Sequence, residues 1–155
     1  MPRIGLISDT HGLVRPEALQ LLRGCDHIVH AGDIVKPEIL GALAAIAPLT
    51  AVKGNNDTGS WADTLPHDAR VKVGELTIYV VHDIADVPGD VGADVVVTGH
   101  SHKPQVRRQG GVLFVNPGSA GPRRFKLPVT AGELAIDGRE VTATIVDLLS
   151  PPGPP

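Results

Sequence analysis

Five short clusters of nitrogen and oxygen donors punctuate the chain: Asp9-Thr10-His11, Gly32-Asp33, Gly54-Asn55-Asn56-Asp57, His82-Asp83 and Gly99-His100-Ser101-His102. Imidazoles mixed with carboxylates suit Mn²⁺, Fe²⁺, Zn²⁺ or Ni²⁺ better than Ca²⁺ or Mg²⁺, which favour oxygen shells. Cys25 is the only cysteine, so neither a thiolate-rich site nor an internal disulfide can form. Asp9 and His11 stand two residues apart, as do His100 and His102. On extended backbone each pair points to one side. Seven candidate ligands exceed the roughly four to six that one ion takes, which predicts two ions sharing a carboxylate.

Each cluster follows a strand-like run. Runs at 3–8, 27–31 and 49–53 alternate with helical patterns at 16–23 and 37–47, both opened by proline. This β-α-β-α-β opening predicts a parallel sheet with right-handed crossovers. Runs 69–73 and 76–82 flank Gly74-Glu75, 106–109 and 112–116 flank Gly110-Gly111, and 129–136 and 141–147 flank Asp137-Gly138. With a further strand at 94–98, these three hairpins predict a second, largely antiparallel sheet packed on the first. Pro88 and two glycines leave room for only a short helical turn within 84–92. Loops beyond the carboxyl ends of such strands share one crevice, where residues remote in sequence converge. Gly32, Gly54 and Gly99 let the chain turn sharply beside the donors.

In this order the clusters closely resemble the calcineurin-like metallophosphoesterases. Within them the chain is similar to the small prokaryotic YfcE-like phosphodiesterases, which share the Ser8-Asp9-Thr10-His11 opening and the Asn116-Pro117-Gly118-Ser119 run. The likeness extends from Arg3 to about Leu148. It implies an α/β (α+β) four-layer α-β-β-α sandwich of two mixed sheets, forming a single domain over 1–149 with a flexible proline-rich tail at 150–155. It also implies that Asp9, His11 and His102 hold one metal, that Asn55, His82 and His100 hold a second, and that Asp33 bridges them. The activity implied is hydrolysis of a small phosphodiester by a hydroxide between two divalent ions, Mn²⁺ first and Ni²⁺, Fe²⁺ or Zn²⁺ next. Asp33, Asn55, Asn56 and His82 are the residues implied in catalysis.

Departures from the wider superfamily bear on specificity. Many members carry Gly-Asn-His where this chain has Gly54-Asn55-Asn56, and an amide cannot protonate a leaving oxygen near neutral pH. This predicts a preference for acidic leaving groups, with Asn56 as a substrate contact. Relatives usually read His-Gly-His where this chain reads His82-Asp83-Ile84. Short connections at 57–69 and 82–94 leave no room for a large lid, so the site should be shallow. His27, His30 and His67 match no ligand position and read as structural or surface residues. Asp57 and Asp83 either orient imidazoles or sit on exposed loops. Arg123 and Arg124, in a basic stretch, form a solvated face or pair with phosphate at the site mouth.

The whole chain has 155 residues, with 14 Lys+Arg against 17 Asp+Glu and a formal net charge of -3. That balance argues against a chain-wide nucleic-acid surface, and 3% aromatic residues against base-stacking platforms. Nucleic-acid ends remain open as substrates. No run reaches membrane-spanning length and no signal peptide is recognisable, which predicts a cytoplasmic protein with no membrane partner. Self-association into a homo-oligomer is left open. The competing reading is a metal-binding scaffold on the same fold, disfavoured because none of the seven ligand positions is degraded. An amidohydrolase-type enzyme also uses His-x-His, but near the N-terminus of a barrel of roughly 250 residues.

Overall fold

A computed structural model describes residues 2–124 and 126–149. The expected tail at 150–155 lies outside the described residues. In chain order the elements are β1 (Arg3–Ile7), α1 (Pro16–Leu22), β2 (His27–His30), α2 (Pro37–Ala44) and β3 (Leu49–Ala51). They continue with β4 (Asp68–Val73), β5 (Leu76–Val81), β6 (Val95–Val97), β7 (Gln105–Gln109), β8 (Val112–Asn116), β9 (Thr130–Asp137) and β10 (Glu140–Asp147). Single 3-10 turns occupy Ala62–Thr64 and Ile84–Asp86.

Both α-helices start with proline and carry a glutamate, Glu17 or Glu38, in the first turn, where it complements the helix dipole. The second helix stops at Ala44, short of the expected 47. Its last turn tightens, with Ile46 N–H bonding the Leu43 carbonyl, ahead of Pro48.

The first sheet has the order β10-β9-β1-β2-β3, with β1, β2 and β3 parallel. The second has the order β4-β5-β6-β8-β7, parallel across β5-β6-β8 and antiparallel at both edges. The third hairpin therefore departs from expectation. It does not extend the second sheet but returns to the first, where β9 pairs antiparallel with β1. The reason lies in β9 itself: five of its eight residues are buried and only Asp137 is exposed, so it sits inside a sheet with a neighbour on each edge, and β1 offers one. Both sheets are thus mixed.

Between the sheets lies an aliphatic core that includes Leu6, Val29, Ile78, Val97, Val115 and Leu134. The helices cover the outer face of the first sheet through Ala18, Leu22, Ile39 and Leu43. Gly5 permits this approach, because a Cβ there would collide with Leu22. Among the described residues, the outer face of the second sheet, built on Tyr79, Val81 and Val96, is covered by the segment carrying the turn Ile84–Asp86, with Val87 and Val91 packed inward. That outermost layer is one turn and a loop. Among the described residues no helix is long and apolar enough to cross a membrane.

Candidate metal centre

The donor-bearing loops are stitched together by backbone. Asp9 N–H donates to the Gly32 carbonyl at 3.0 Å, His11 N–H to Asp33 O at 2.9 Å, and Gly99 N–H to His82 O at 2.9 Å. Six described non-glycine residues have positive φ, and five are expected ligands: Asp9 (+54°), His11 (+46°), Asp33 (+58°), His100 (+71°) and His102 (+63°). The sixth is Val35 at +75°. Such conformations cost about 1–3 kcal/mol each and persist where surrounding contacts over-determine them. The Asp9/His11 and His100/His102 pairs are therefore not on extended backbone, as their spacing predicts, but on left-handed bends. The neighbouring glycines also act differently from expectation. Gly54 and Gly99 have ordinary φ, and what they supply is room: a Cβ at Gly54 would strike Asp33, and one at Gly99 would strike Ser8. Of these three, Gly32 alone combines positive φ (+103°) with such crowding.

The side chains converge. Asp9 Oδ1 lies 3.4 Å from His102 Nε2 and 3.8 Å from His11 Nε2, while Asp33 Oδ2 lies 3.3 Å from His82 Nε2 and 3.6 Å from His11 Nε2. Asn55 Oδ1 is 3.0 Å from His82 Nε2 and 3.2 Å from His100 Nδ1. Asp9-His11-His102 and Asp9-Asp33-His82 each bring their ligand atoms within 4.8 Å of one another. Asp33 Oδ2 thus faces one imidazole from each expected set.

Hydrogen bonds outside the cluster aim the donors inward. Asp9 Oδ2 accepts from Ser8 Oγ at 2.7 Å and from His100 N–H at 3.1 Å, leaving Oδ1 for the centre. His82 Nδ1 donates to the Ala31 carbonyl at 2.7 Å, which turns the Nε2 lone pair toward Asp33 and Asn55. Asp9 Oδ1 and His11 Nε2 are buried without a hydrogen-bond partner. Orphaned buried donors of this kind are costly unless a cation meets them, so the residues fit a divalent metal. Burial raises the Asp9 pKa, but His102, His11 and Ser8 outweigh it and hold the carboxyl well below the usual carboxylate range. Burial likewise works against Asp33 ionisation, and His82 and Asn56 overcome it. Burial lowers the His82 pKa, yet Asp33 and Asp9 reverse the sign and raise it.

Residues 2–139 match the family profile of the calcineurin-like phosphoesterase superfamily domain. The chain belongs to that superfamily. It is 34% identical over 158 aligned positions to a probable metallophosphoesterase of Methanothermobacter thermautotrophicus, covering 92% of this chain and 91% of the relative. Its fold is similar to that of YfcE, a phosphoesterase from E. coli, with a TM-score of 0.71, 22% identity and coverage of 94% and 99%. It is similar as well to Vacuolar Protein Sorting 29 from Cryptosporidium parvum, with a TM-score of 0.76, 21% identity and coverage of 94% and 96%.

In this metallophosphoesterase not every expected residue joins the cluster. Arg123 Nε donates to the Leu127 carbonyl at 3.2 Å, and among the described residues neither Arg123 nor Arg124 touches any of the seven donors. Asn56 does reach the centre, as a clamp on Asp33: its backbone N–H donates to Oδ1 at 2.8 Å and its amide Nδ2 to Oδ2 at 3.0 Å. Asp57 orients no imidazole and is no exposed loop residue. Buried, it accepts three backbone N–H bonds, from Asp33 (3.0 Å), Val35 (2.8 Å) and Gly54 (2.8 Å), and so binds the second and third donor loops together. Nothing in its sequence surroundings distinguishes this role. Asp83 caps the turn that follows it, accepting from Ala85 N–H at 3.0 Å, with Oδ2 3.9 Å from His100 Nε2. His30 is fully buried and structural: it accepts from Gly32 N–H through Nδ1 and meets Thr10 Oγ1 through Nε2, and burial pushes its pKa down to about 4. Trp61 packs on the helix side of the first sheet.

Two cavities flank the cluster. One of about 210 Å³ is lined by Lys53, Asn55, His67, His82 and His100 among others. The other, about 500 Å³, adjoins His100 on the Ile84 side.

Proposed function

We propose that this metallophosphoesterase hydrolyses small phosphodiesters at a centre of two divalent cations. Asp9, His11 and His102 would hold one ion and Asn55, His82 and His100 the other, with Asp33 shared. Mn²⁺ is the first candidate on donor chemistry, ahead of Ni²⁺, Fe²⁺ and Zn²⁺. Ions held there supply charge against the phosphoryl oxygens and acidify water. The observation that carries this reading is the pair of buried, unpartnered atoms, Asp9 Oδ1 and His11 Nε2, beside an Asp33 carboxylate that faces imidazoles of both sets.

The chain's own part is orientation. Ala31 fixes the His82 tautomer, Ser8 and the His100 N–H hold Asp9, and Asn56 fixes both oxygens of Asp33. Asn56 cannot give a proton to the departing oxygen, which supports a preference for substrates whose leaving group departs as an anion, such as aryl diesters.

The test is hydrolysis of bis-p-nitrophenyl phosphate with and without Mn²⁺, run beside Asp33→Ala. Metal-stimulated turnover lost in the variant is the expected result. A chain that binds ions without turnover would be the metal-holding scaffold instead. A chain that stays metal-free and inert at millimolar Mn²⁺ would end both readings.

A further inference from the structure

The 500 Å³ cavity has a wall of unusual character for a site otherwise made of charged and polar groups. Ile84, Pro104 and Phe114 line it, and Ile84 is 46% exposed. Large exposed aliphatic side chains are few among the described residues, and of these only Ile84 stands at the mouth of a cavity that also contains an expected ligand. Its position is fixed, because Asp83 caps the turn that carries it. Phe114 is fixed too, with the Arg107 guanidinium 4.7 Å from its ring centroid. On the same wall stand Lys103 and Gln105, whose ammonium and amide have no partner among the described residues. Asp83 and His100 line both this cavity and the smaller one that holds Asn55 and His82, so the two spaces share a boundary.

From this arrangement we infer that the cavity beside His100 takes the organic substituent of the ester, and that a flat ring bearing hydrogen-bond acceptors fits it better than a short alkyl group. The inference rests on the phosphodiesterase reading of the adjoining centre. Ile84, Pro104 and Phe114 offer apolar contact to ring faces and edges, which is non-directional and proportional to area. Lys103 and Gln105 offer donors to the ring's acceptors, and a methyl or ethyl group uses neither. Ile84 and Lys103 are specificity residues on this account.

The test titrates 4-nitrophenylphosphonate and methylphosphonate into the Zn²⁺-loaded protein, following the Ile84 δ-methyl and Phe114 ring resonances by NMR. The aryl phosphonate should shift both resonances and bind more tightly, and methylphosphonate should shift neither. In Ile84→Ala the ratio of aryl to methyl affinity should fall about fivefold, and in Lys103→Met about threefold. Equal binding of the two phosphonates, or a ratio unmoved in both variants, overturns the cavity assignment alone. If neither phosphonate binds and no ester is turned over with Mn²⁺, the phosphodiesterase reading falls with it.

Discussion

The two halves of the donor cluster are built to different rules. Around Asp9 the side chains are sealed: the exposures are 0% for Asp9, 12% for His11 and 7% for His102. Around Asn55 the cluster opens, with the His100 side chain 47% exposed and both flanking cavities against it. The sealed half draws Asp9 and His11 from the loop after β1 and His102 from the loop after β6. Asp9 and His11 N–H bonds to the Gly32 and Asp33 carbonyls tie the first of these to the Asp33 loop, which the Asp57 carboxylate in turn joins to the Asn55 loop. The open half draws Asn55 from the loop after β3 of the first sheet and His82 and His100 from the ends of β5 and β6 in the second. Its opening is at His100, because the His82 side chain is only 6% exposed. Burial is concentrated at Asp9, His11 and His102, and solvent access at His100.

Substitutions can break or sharpen that contrast. The largest effect belongs to the residue joining the halves: Asp33→Ala should lower Mn²⁺-stimulated kcat/KM by about a thousandfold or more, read from p-nitrophenolate release. Next comes Asp57→Ala, which strands three backbone N–H groups and should cost about 3 kcal/mol, seen as a lower urea midpoint. Full stability in that variant would mean the Asp33 and Asn55 loops do not depend on their tie. Third, His11→Ala should weaken metal affinity about a hundredfold and His100→Ala only about tenfold, by calorimetric titration with Zn²⁺. Equal losses would erase the distinction.

A smaller effect is expected from pH. His30 supports the sealed half in its neutral form, with its pKa down to about 4. Below about 6.5 the unfolded chain takes up a proton there that the folded chain refuses, so stability rises with pH between about 4 and 6.5 and falls on acidification. Between pH 7 and 5 this amounts to about 2 kcal/mol, measurable as a difference in urea-midpoint slope between the parent protein and His30→Gln.

Much of this was legible in residue order. Each donor cluster follows an apolar run, so the β-α-β opening and the convergence of Asp9, Asp33, His82 and His102 could be read from strand ends. The destination of the third hairpin could not, because alternation at 130–147 marks a strand pair without naming its neighbour. Nor could the left-handed backbone at Asp9, His11 and His100 be read, since non-glycine residues there carry no local mark of a conformation that long-range contacts impose. The role of Asp57 is hidden for a related reason: a carboxylate after a turn looks the same whether it faces water or three amides.

The sparse layer over the second sheet has a consequence for how this scaffold can change. A segment held by Val87, Val91 and Ala93 and by Arg70 bonds to the Val91 and Gly92 carbonyls, with no α-helix to repack, is a natural graft point. Extra chain spliced in after the capped turn at Asp83 would overhang the cavity beside His100 while leaving the sealed carboxylates untouched, so new selectivity could be engineered there without rebuilding the interior.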